Sequence, residues 1–223
     1  MTEKVKDLFA AQREIVAKAV AGGVIDTDVP IVSMSGEWRR VLTAIYRAVI
    51  EDFGNQVAEE LSPRTRAEGV EFDPWNSLIQ DHVATKTAEQ VTLIQETTKK
   101  AIREVVLNGI DDGLSLVKVA RAIREKFEEW EGASPGVYRS AMIARTEVHA
   151  AAGFAMHESA RQSGVVNEKH WLDAGDDRVR DAHVTNTAAG WIAFDDVYPN
   201  GASYPGDGTD DINCRCVEMY RTR

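Results

Sequence analysis

The sequence has few cysteines and no long hydrophobic run. Its 223 residues include two cysteines, Cys214 and Cys216. Two cysteines are too few for the disulfide framework of a small secreted domain, and they fit a reducing compartment. No apolar run approaches the roughly 20 residues that span a bilayer. The charged N-terminal residues contain no apolar core of a signal peptide. We therefore expect no disulfide scaffold, no signal peptide and no membrane partner.

An excess of positive charge is also lacking. The chain carries 26 lysines and arginines against 36 aspartates and glutamates, which gives a formal net charge of −10. Autonomous binding to nucleic acid depends on neutralising phosphates with basic side chains. This composition therefore argues against sequence-specific nucleic-acid binding. The overall amino-acid composition, with 43% hydrophobic and 28% charged residues, is ordinary for a globular protein.

Apolar residues recur at helical spacing through the first three quarters of the chain. The pattern predicts helices over 2–21, 36–61, 86–108, about four turns after Ser115, and 138–163. A further helix is predicted to begin with Asp73 as its N-cap and Pro74 in its first turn. The run Ala150-Ala151-Ala152-Gly153 has almost no side-chain bulk. We expect another backbone to approach the helix closely there.

The character of the sequence changes after Gly164. The pattern predicts a strand over 165–173, a turn and short helix over 176–186, an ordered loop or hairpin over 189–206, and a final strand over 212–220. The predicted fold class is α+β, with a mainly helical N-terminal part and a small C-terminal module that contains a short antiparallel sheet. The predicted divisions are a helical region 1–85, a helical hairpin 86–137 and an α+β module 138–223. Residues 62–73 and 131–137 are predicted to be a linker and a loop.

Six short motifs follow one another in the C-terminal part. In order they are Ala144-Arg145-Thr146-Glu147, Trp171-Leu172-Asp173, Asp177-Arg178-Val179-Arg180 with His183, the acidic-aromatic stretch 195–201, Tyr204-Pro205-Gly206-Asp207, and Asn213-Cys214-Arg215-Cys216. In this order and spacing they resemble the C-terminal domain of the phage Mu F-like head morphogenesis family, the minor head proteins of tailed phages. The resemblance covers about residues 86–220.

This resemblance implies a structural role and not an enzymatic one. A protein of this kind would be a minor head protein that docks on the portal vertex during capsid assembly and DNA packaging. Its partners would be the portal protein and other head proteins. Its place would be the interior of the virion head, after assembly in the host cytoplasm. Under this hypothesis we expect excess apolar surface on the helices at 2–61, available to a partner.

The two cysteines permit three interpretations. Residues two apart on a strand point to one face with Cα atoms about 7 Å apart, a separation that disfavours a mutual disulfide. Both thiols could be buried as small apolar groups, or one could be a nucleophile activated by His183. They could also join His183 as ligands of a structural zinc ion, which usually has four ligands. The candidates for the fourth ligand are Asp173, Asp177, His149 and His170.

Charged residues around the 138–163 helix suggest a structural network. A buried guanidinium requires a partner, because an unpaired buried charge is costly. We predict bidentate arginine–carboxylate pairs that fix the helix to the turn that follows. The predicted members are Arg145, Glu147, Asp177, Arg178 and Arg180.

The alternative function is that of a toxin-like nuclease or transferase. It would use Glu147, Asp177, Arg178, Arg180 and His183. Glu147 and His183 would then act as general acid and base. This hypothesis requires the five side chains to converge on an open cleft and not on one another.

Overall fold

The computed structural model describes residues 1–62, 71–132, 138–208 and 210–222. Its helices are α1 (Thr2–Ala21), α2 (Asp28–Val32), α3 (Ser35–Leu61), α4 (Ser77–Asp111), α5 (Leu116–Glu131), α6 (Arg139–Ser163) and α7 (Asp181–Ala188). Its strands are β1 (Val166–Leu172), β2 (Ile192–Ala193) and β3 (Val217–Thr222). This confirms the predicted α+β class. The predicted linker and loop, at 62–73 and 131–137, lie largely outside the described residues.

The chain forms two compact units, each built from segments that are distant in sequence. The first unit comprises Met1–Ala44 and Asp81–Ala144, and the second comprises Ile45–Gln80 and Arg145–Arg223. The division into 1–85, 86–137 and 138–223 follows chain order instead, and it stays a prediction.

An aromatic cluster forms the core of the first unit, where α1 packs along α5. Phe9 of α1 contacts Trp38 edge-on at a centroid distance of 5.0 Å, and it lies 5.6 Å from Trp130 of α5. Buried aromatic rings in these arrangements contribute beyond their buried area. The apolar stripe of α1 and the first turns of α3 are therefore largely used within this unit.

Helix α4 begins one turn later than the sequence pattern predicts. Asp73 Oδ1 accepts a hydrogen bond from the Trp75 backbone N–H at 2.9 Å, which forms a turn instead of a helix cap. Asn76 Oδ1 accepts from the Ile79 backbone N–H at 2.9 Å and so caps the helix. From Ser77 the helix continues without a break to Asp111.

The three-stranded antiparallel sheet of the second unit has the order β2-β1-β3. Trp171 of β1 pairs with Glu218 of β3, and Lys169 pairs with Tyr220. Because alternate side chains of a strand face opposite sides, these four residues share one face of the sheet. Trp171, Lys169 and Glu218 are buried there, whereas Val217 and Met219 on the other face are exposed.

The small-residue stretch of α6 lies against the segment 202–208, as predicted. A Cβ added to Gly206, which has φ +106°, would lie 2.8 Å from the Ala150 Cα. Bulkier side chains at this point of α6 would push the segment away. Among the described residues, no helix combines the length and apolar content that crossing a bilayer would require.

Candidate functional site

The backbone before β3 turns sharply and brings the two cysteines together. The sequence predicted a strand from residue 212, but β3 begins at Val217. The Cys214 backbone N–H donates to the Asp211 carbonyl at 2.9 Å, and Asn213 adopts φ +57°. Residues 214–216 themselves belong neither to this turn nor to a strand. Both thiols are buried and lie beside one imidazole.

His183 of α7 supplies that imidazole. Its Nδ1 lies 3.5 Å from the Cys214 Sγ and 3.4 Å from the Cys216 Sγ. The three ligand atoms all lie within 4.8 Å of one another. Trp171 packs edge-on against the ring at a centroid distance of 5.1 Å and closes one side of the site. The predicted trio of His183 and the two cysteines is therefore brought together in the fold.

The second nitrogen of His183 faces a carboxylate. The Nε2 is buried and lies 3.6 Å from the Asp211 Oδ1. The other oxygen of Asp211 accepts a hydrogen bond from the Gly208 backbone N–H at 2.6 Å, which fixes the carboxylate. A proton on Nε2 is favoured by this neighbour and leaves the Nδ1 lone pair directed at the sulfurs.

The two thiols have different affinities for a proton. Hydrogen bonding to Cys216, together with burial, raises the pKa of Cys214 to about 12. The same hydrogen bond lowers the pKa of the Cys216 thiol, although burial opposes it. The pair therefore loses its first proton more readily than its second, because the remaining thiol stabilises the thiolate.

A small cleft leads to this site. It is lined by Ala174, Arg178, Val179, Arg180, Asn213 and Arg215 in addition to His183 and the two cysteines. A water-sized or ion-sized species can thus approach buried ligand atoms. The donor set of two sulfurs and an imidazole nitrogen suits a soft or borderline metal ion.

The segment that carries this site matches a known family. Residues 100–219, more than half of the chain, match the family described as Phage Mu protein F like protein. The chain belongs to this family. The match confirms the resemblance read from the six motifs, and it indicates a role in phage head morphogenesis and a virion location. No curated protein and no solved structure matches the chain.

In this Mu F-like protein, the predicted arginine–carboxylate network is arranged differently. Arg145 is exposed on α6, so its guanidinium is not the buried charge that was expected. Glu147 is buried, but it accepts a hydrogen bond at 2.8 Å from the Tyr46 hydroxyl, a neutral donor on α3. Helical spacing had correctly placed Arg145 and Glu147 on different faces of α6. The sequence alone could not show which of them faced the protein interior.

The residues of the following turn pair with the C-terminal segment. Asp177 and Arg178 are exposed. Arg180 donates to the Ile212 carbonyl at 2.6 Å and lies 2.9 Å from the Asp210 carboxylate. A bidentate pair does form in this turn, but its members are Asp176 and Arg215, at 2.6 and 2.7 Å. This contact holds the pKa of Asp176 at about 2.

The geometry does not favour the enzyme alternative. Arg178, Arg180 and His183 border the cleft, whereas Glu147 and Asp177 are not among its lining residues. Glu147 is occupied by Tyr46, and the Nδ1 of His183 faces the two thiols. The proposed general acid and base therefore do not converge on the opening.

The sequence reading missed a buried polar cluster around Glu218. Its carboxylate accepts hydrogen bonds from the hydroxyls of Tyr198 at 3.0 Å and Tyr220 at 2.9 Å, and contacts the His157 Nδ1 at 2.9 Å. Lys169 is fully buried beside it and donates to the Ser203 carbonyl at 2.7 Å. Burial lowers the pKa of Lys169. A charged residue on a strand usually faces solvent, so composition gave no signal for this cluster.

Proposed function

We propose that the protein is a minor head protein that docks on the portal vertex during capsid assembly and DNA packaging. Its partners are the portal protein and other head proteins. It acts in the interior of the virion head after assembly in the host cytoplasm. The observation that carries this proposal is the match of residues 100–219 to the Mu F-like family.

Exposed apolar side chains around the turn between α4 and α5 support a docking role. Five large apolar residues lie within eleven positions, and each is more than a third exposed: Leu107 53%, Ile110 48%, Leu114 37%, Leu116 38% and Val117 69%. We call this group the 107–117 surface. Single exposed apolar residues are ordinary, but a concentration of them marks an interaction site.

A second group of exposed apolar residues lies in and beside α2, in the connector between the helices predicted at 2–21 and 36–61. Val24, Ile25, Val29 and Val32 are 44%, 56%, 73% and 43% exposed. Asp28, within this group, accepts hydrogen bonds at both carboxylate oxygens from the Nη2 of Arg103 on α4, each at 3.1 Å. The pair links this group to the helix that leads into the 107–117 surface. Both groups belong to the first unit, which thus offers a partner a substantial apolar area.

The charge of the chain favours a protein contact over a DNA contact. The formal net charge is −10. Such a protein is repelled by packaged DNA at low ionic strength, so it can stand beside the genome without adhering to it. Docking through apolar side chains is only weakly affected by salt, in contrast to binding through phosphates.

The test is co-expression with the portal protein of the same phage, followed by affinity capture and sedimentation. We expect co-sedimentation with the portal ring from low to high salt. The double variant Leu107→Gln/Val117→Gln should weaken capture at least tenfold, because both residues lie on the 107–117 surface. The matched control is Val184→Gln/Val197→Gln, which changes residues that are 48% and 59% exposed in the second unit. Failure of the wild-type chain to co-sediment at any salt concentration would contradict the proposal.

A further inference from the structure

A fourth potential ligand lies beside one of the two thiols, that of Cys214. His149, on α6, interacts with the Cys214 thiol and tends to lower its pKa, although its ring nitrogens lie outside the group of His183 and the two cysteines, whose ligand atoms are all within 4.8 Å of one another. The His149 Nε2 is buried and makes no hydrogen bond of good geometry within the described ranges. A buried imidazole nitrogen without such a bond is costly unless another species occupies the space before it.

The contacts of α6 place His149 independently. Thr146 Oγ1 accepts a hydrogen bond from the Asn213 backbone N–H at 3.1 Å. Ala150, one turn later, lies against Gly206. A Cβ added to Gly206 would lie 2.8 Å from the Ala150 Cα. His149 follows Thr146 by three positions and therefore shares this face of the helix. That face is the one turned toward the segment that carries Cys214.

His170, another candidate for the fourth ligand, faces away from the site. Its neighbour Trp171 belongs to the buried face of the sheet and contacts His183. Alternation along β1 puts His170 on the opposite face, where it contacts Trp191 at a ring-centroid distance of 5.3 Å. No rotation of its side chain can bring it through the sheet.

The acidic candidates have weaker contacts with the thiols than His149. Asp177 is exposed. Asp173 Oδ1 accepts a hydrogen bond from the Gly175 backbone N–H at 2.7 Å, which engages one carboxylate oxygen in its own turn, and Asp173 acts on Cys216 through its charge, without a hydrogen bond to it. Asp211 lies on the Nε2 side of His183, away from the Nδ1 that meets the sulfurs. Its position suits a residue that orients the imidazole and not one that binds the ion.

We propose that the two cysteines, His183 and His149 bind one zinc ion in a structural site. Around a tetrahedral zinc ion with ordinary bond lengths, sulfur and nitrogen ligands lie about 3.6 Å apart. The observed distances from the His183 Nδ1 to the two sulfurs are 3.5 and 3.4 Å. Two thiolates and two imidazoles are a donor set typical of structural zinc. Binding releases both thiol protons to solvent and leaves the ion four-coordinate.

The ion would join three segments of the second unit. His149 comes from α6, His183 from α7, and the cysteines from the turn before β3. Both cysteines are free of disulfide bonds. A zinc ion would therefore supply a cross-link between segments that are held by packing and hydrogen bonds.

The experiment uses the full chain, purified under reducing conditions and stripped of metal with a chelator. It is titrated with Zn²⁺ against a competing chromophoric chelator, and with Co²⁺ as a spectroscopic substitute. We expect one equivalent of either ion to bind, and we expect Co²⁺ to give the intense visible absorption of a tetrahedral site with thiolate ligands. His149→Gln should weaken binding of Zn²⁺ at least tenfold and change the Co²⁺ spectrum. The matched control His170→Gln should bind like the wild-type chain.

Two results would overturn the proposal. One is failure of the reduced wild-type chain to bind Zn²⁺. The other is a His149→Gln variant with the affinity and Co²⁺ spectrum of His170→Gln. If His149→Gln does not fold, X-ray absorption of the wild-type zinc complex decides the ligand set. Two sulfurs with two imidazole nitrogens support the proposal, whereas two sulfurs with one nitrogen and one oxygen refute it. All of these readouts are independent of portal binding.

Discussion

The backbone of Pro205 lies directly against Gly153 of α6. A Cβ added to Gly153 would meet the Pro205 carbonyl oxygen at 2.0 Å, closer than any real Cβ contact. The neighbouring atom belongs to the backbone, so a side-chain rotation cannot relieve the overlap. The loop 202–208 is therefore held at this distance because position 153 has no side chain. Glycine is used here for a close approach and not for a left-handed backbone conformation.

We predict that Gly153→Ala destabilises the protein by about 2–3 kcal/mol, because the loop must move away from α6. The matched control is Gly36→Ala, at a helical position in α3 where an added Cβ meets nothing within 4 Å. That change should stabilise the protein by about 0.4–1 kcal/mol through the unfolded state. Both values are measured by chemical denaturation. Equal effects of the two substitutions would show that the loop does not need the close approach.

Two arginines of α6 should differ sharply in their contribution to stability. Arg139 is half-buried, and desolvation lowers its pKa to about 10. Its guanidinium lies 4.5 Å from the centroid of the Trp130 ring and donates to the Ile94 carbonyl at 3.0 Å. Arg145 is exposed. The comparison tests which arginine of this helix is part of the core.

Arg139→Ala is expected to cost about 2–4 kcal/mol, because it removes the cation–π contact and leaves a buried carbonyl without its donor. Arg145→Ala should change the free energy of unfolding by less than about 0.5 kcal/mol. Denaturant titration of the two variants gives both numbers. A large loss of unfolding free energy in Arg145→Ala would instead support the predicted arginine–carboxylate network around Arg145.

Glu158 should contribute to stability in a way that depends on pH. Burial tends to raise the pKa of its carboxyl, but hydrogen bonds from Arg161 and Gln162 outweigh burial and lower the pKa below its usual value. A carboxyl group whose pKa is lower in the folded than in the unfolded state stabilises the protein at pH values above its pKa in the unfolded state. That contribution is lost as the pH falls through the lower, folded value.

We therefore expect Glu158→Gln to be less stable than the wild-type chain at pH 7, by about 1 kcal/mol. The difference should shrink as the pH is lowered from about 5 to 3, because the wild-type carboxyl becomes protonated. Melting temperatures across this range provide the measurement. Glu60→Gln, at an exposed position of α3, is the control and should follow the wild-type curve. A constant difference at every pH would rule out the ionised Glu158 as its source.

Much of the fold was predictable because helices leave a strong local signal. The apolar spacing of residues 2–21 and 36–61 predicted α1 and α3 to within a residue or two. The start of α4 was misplaced, because Asp73 and Asn76 both have the chemistry of an N-cap. The final strand was also predicted too early. An alternating pattern continues from residue 212 into β3, whereas the left-handed Asn213 keeps the first part as a turn.

The candidate site was predictable in its members but not in its geometry. The spacing of Cys214 and Cys216 and the nearby His183 marked them as a possible trio. A strand would have set the two cysteines at a fixed separation on one face. Only the fold shows that both sulfurs lie within 3.5 Å of the His183 Nδ1. Long-range packing, which has no counterpart in local sequence, also placed His149 beside the Cys214 thiol and turned His170 away.

The sequence by itself determined the helical N-terminal part, the β-containing C-terminal module and the family, because these depend on local periodicity and on the order of short motifs. The tertiary structure decided which polar residues are buried and with what partners. Glu147 pairs with Tyr46, which is 101 positions away in sequence. Such pairs form because burying a polar group requires a partner from whichever segment packs against it. That choice is made by the packing of distant segments, and no local pattern encodes it.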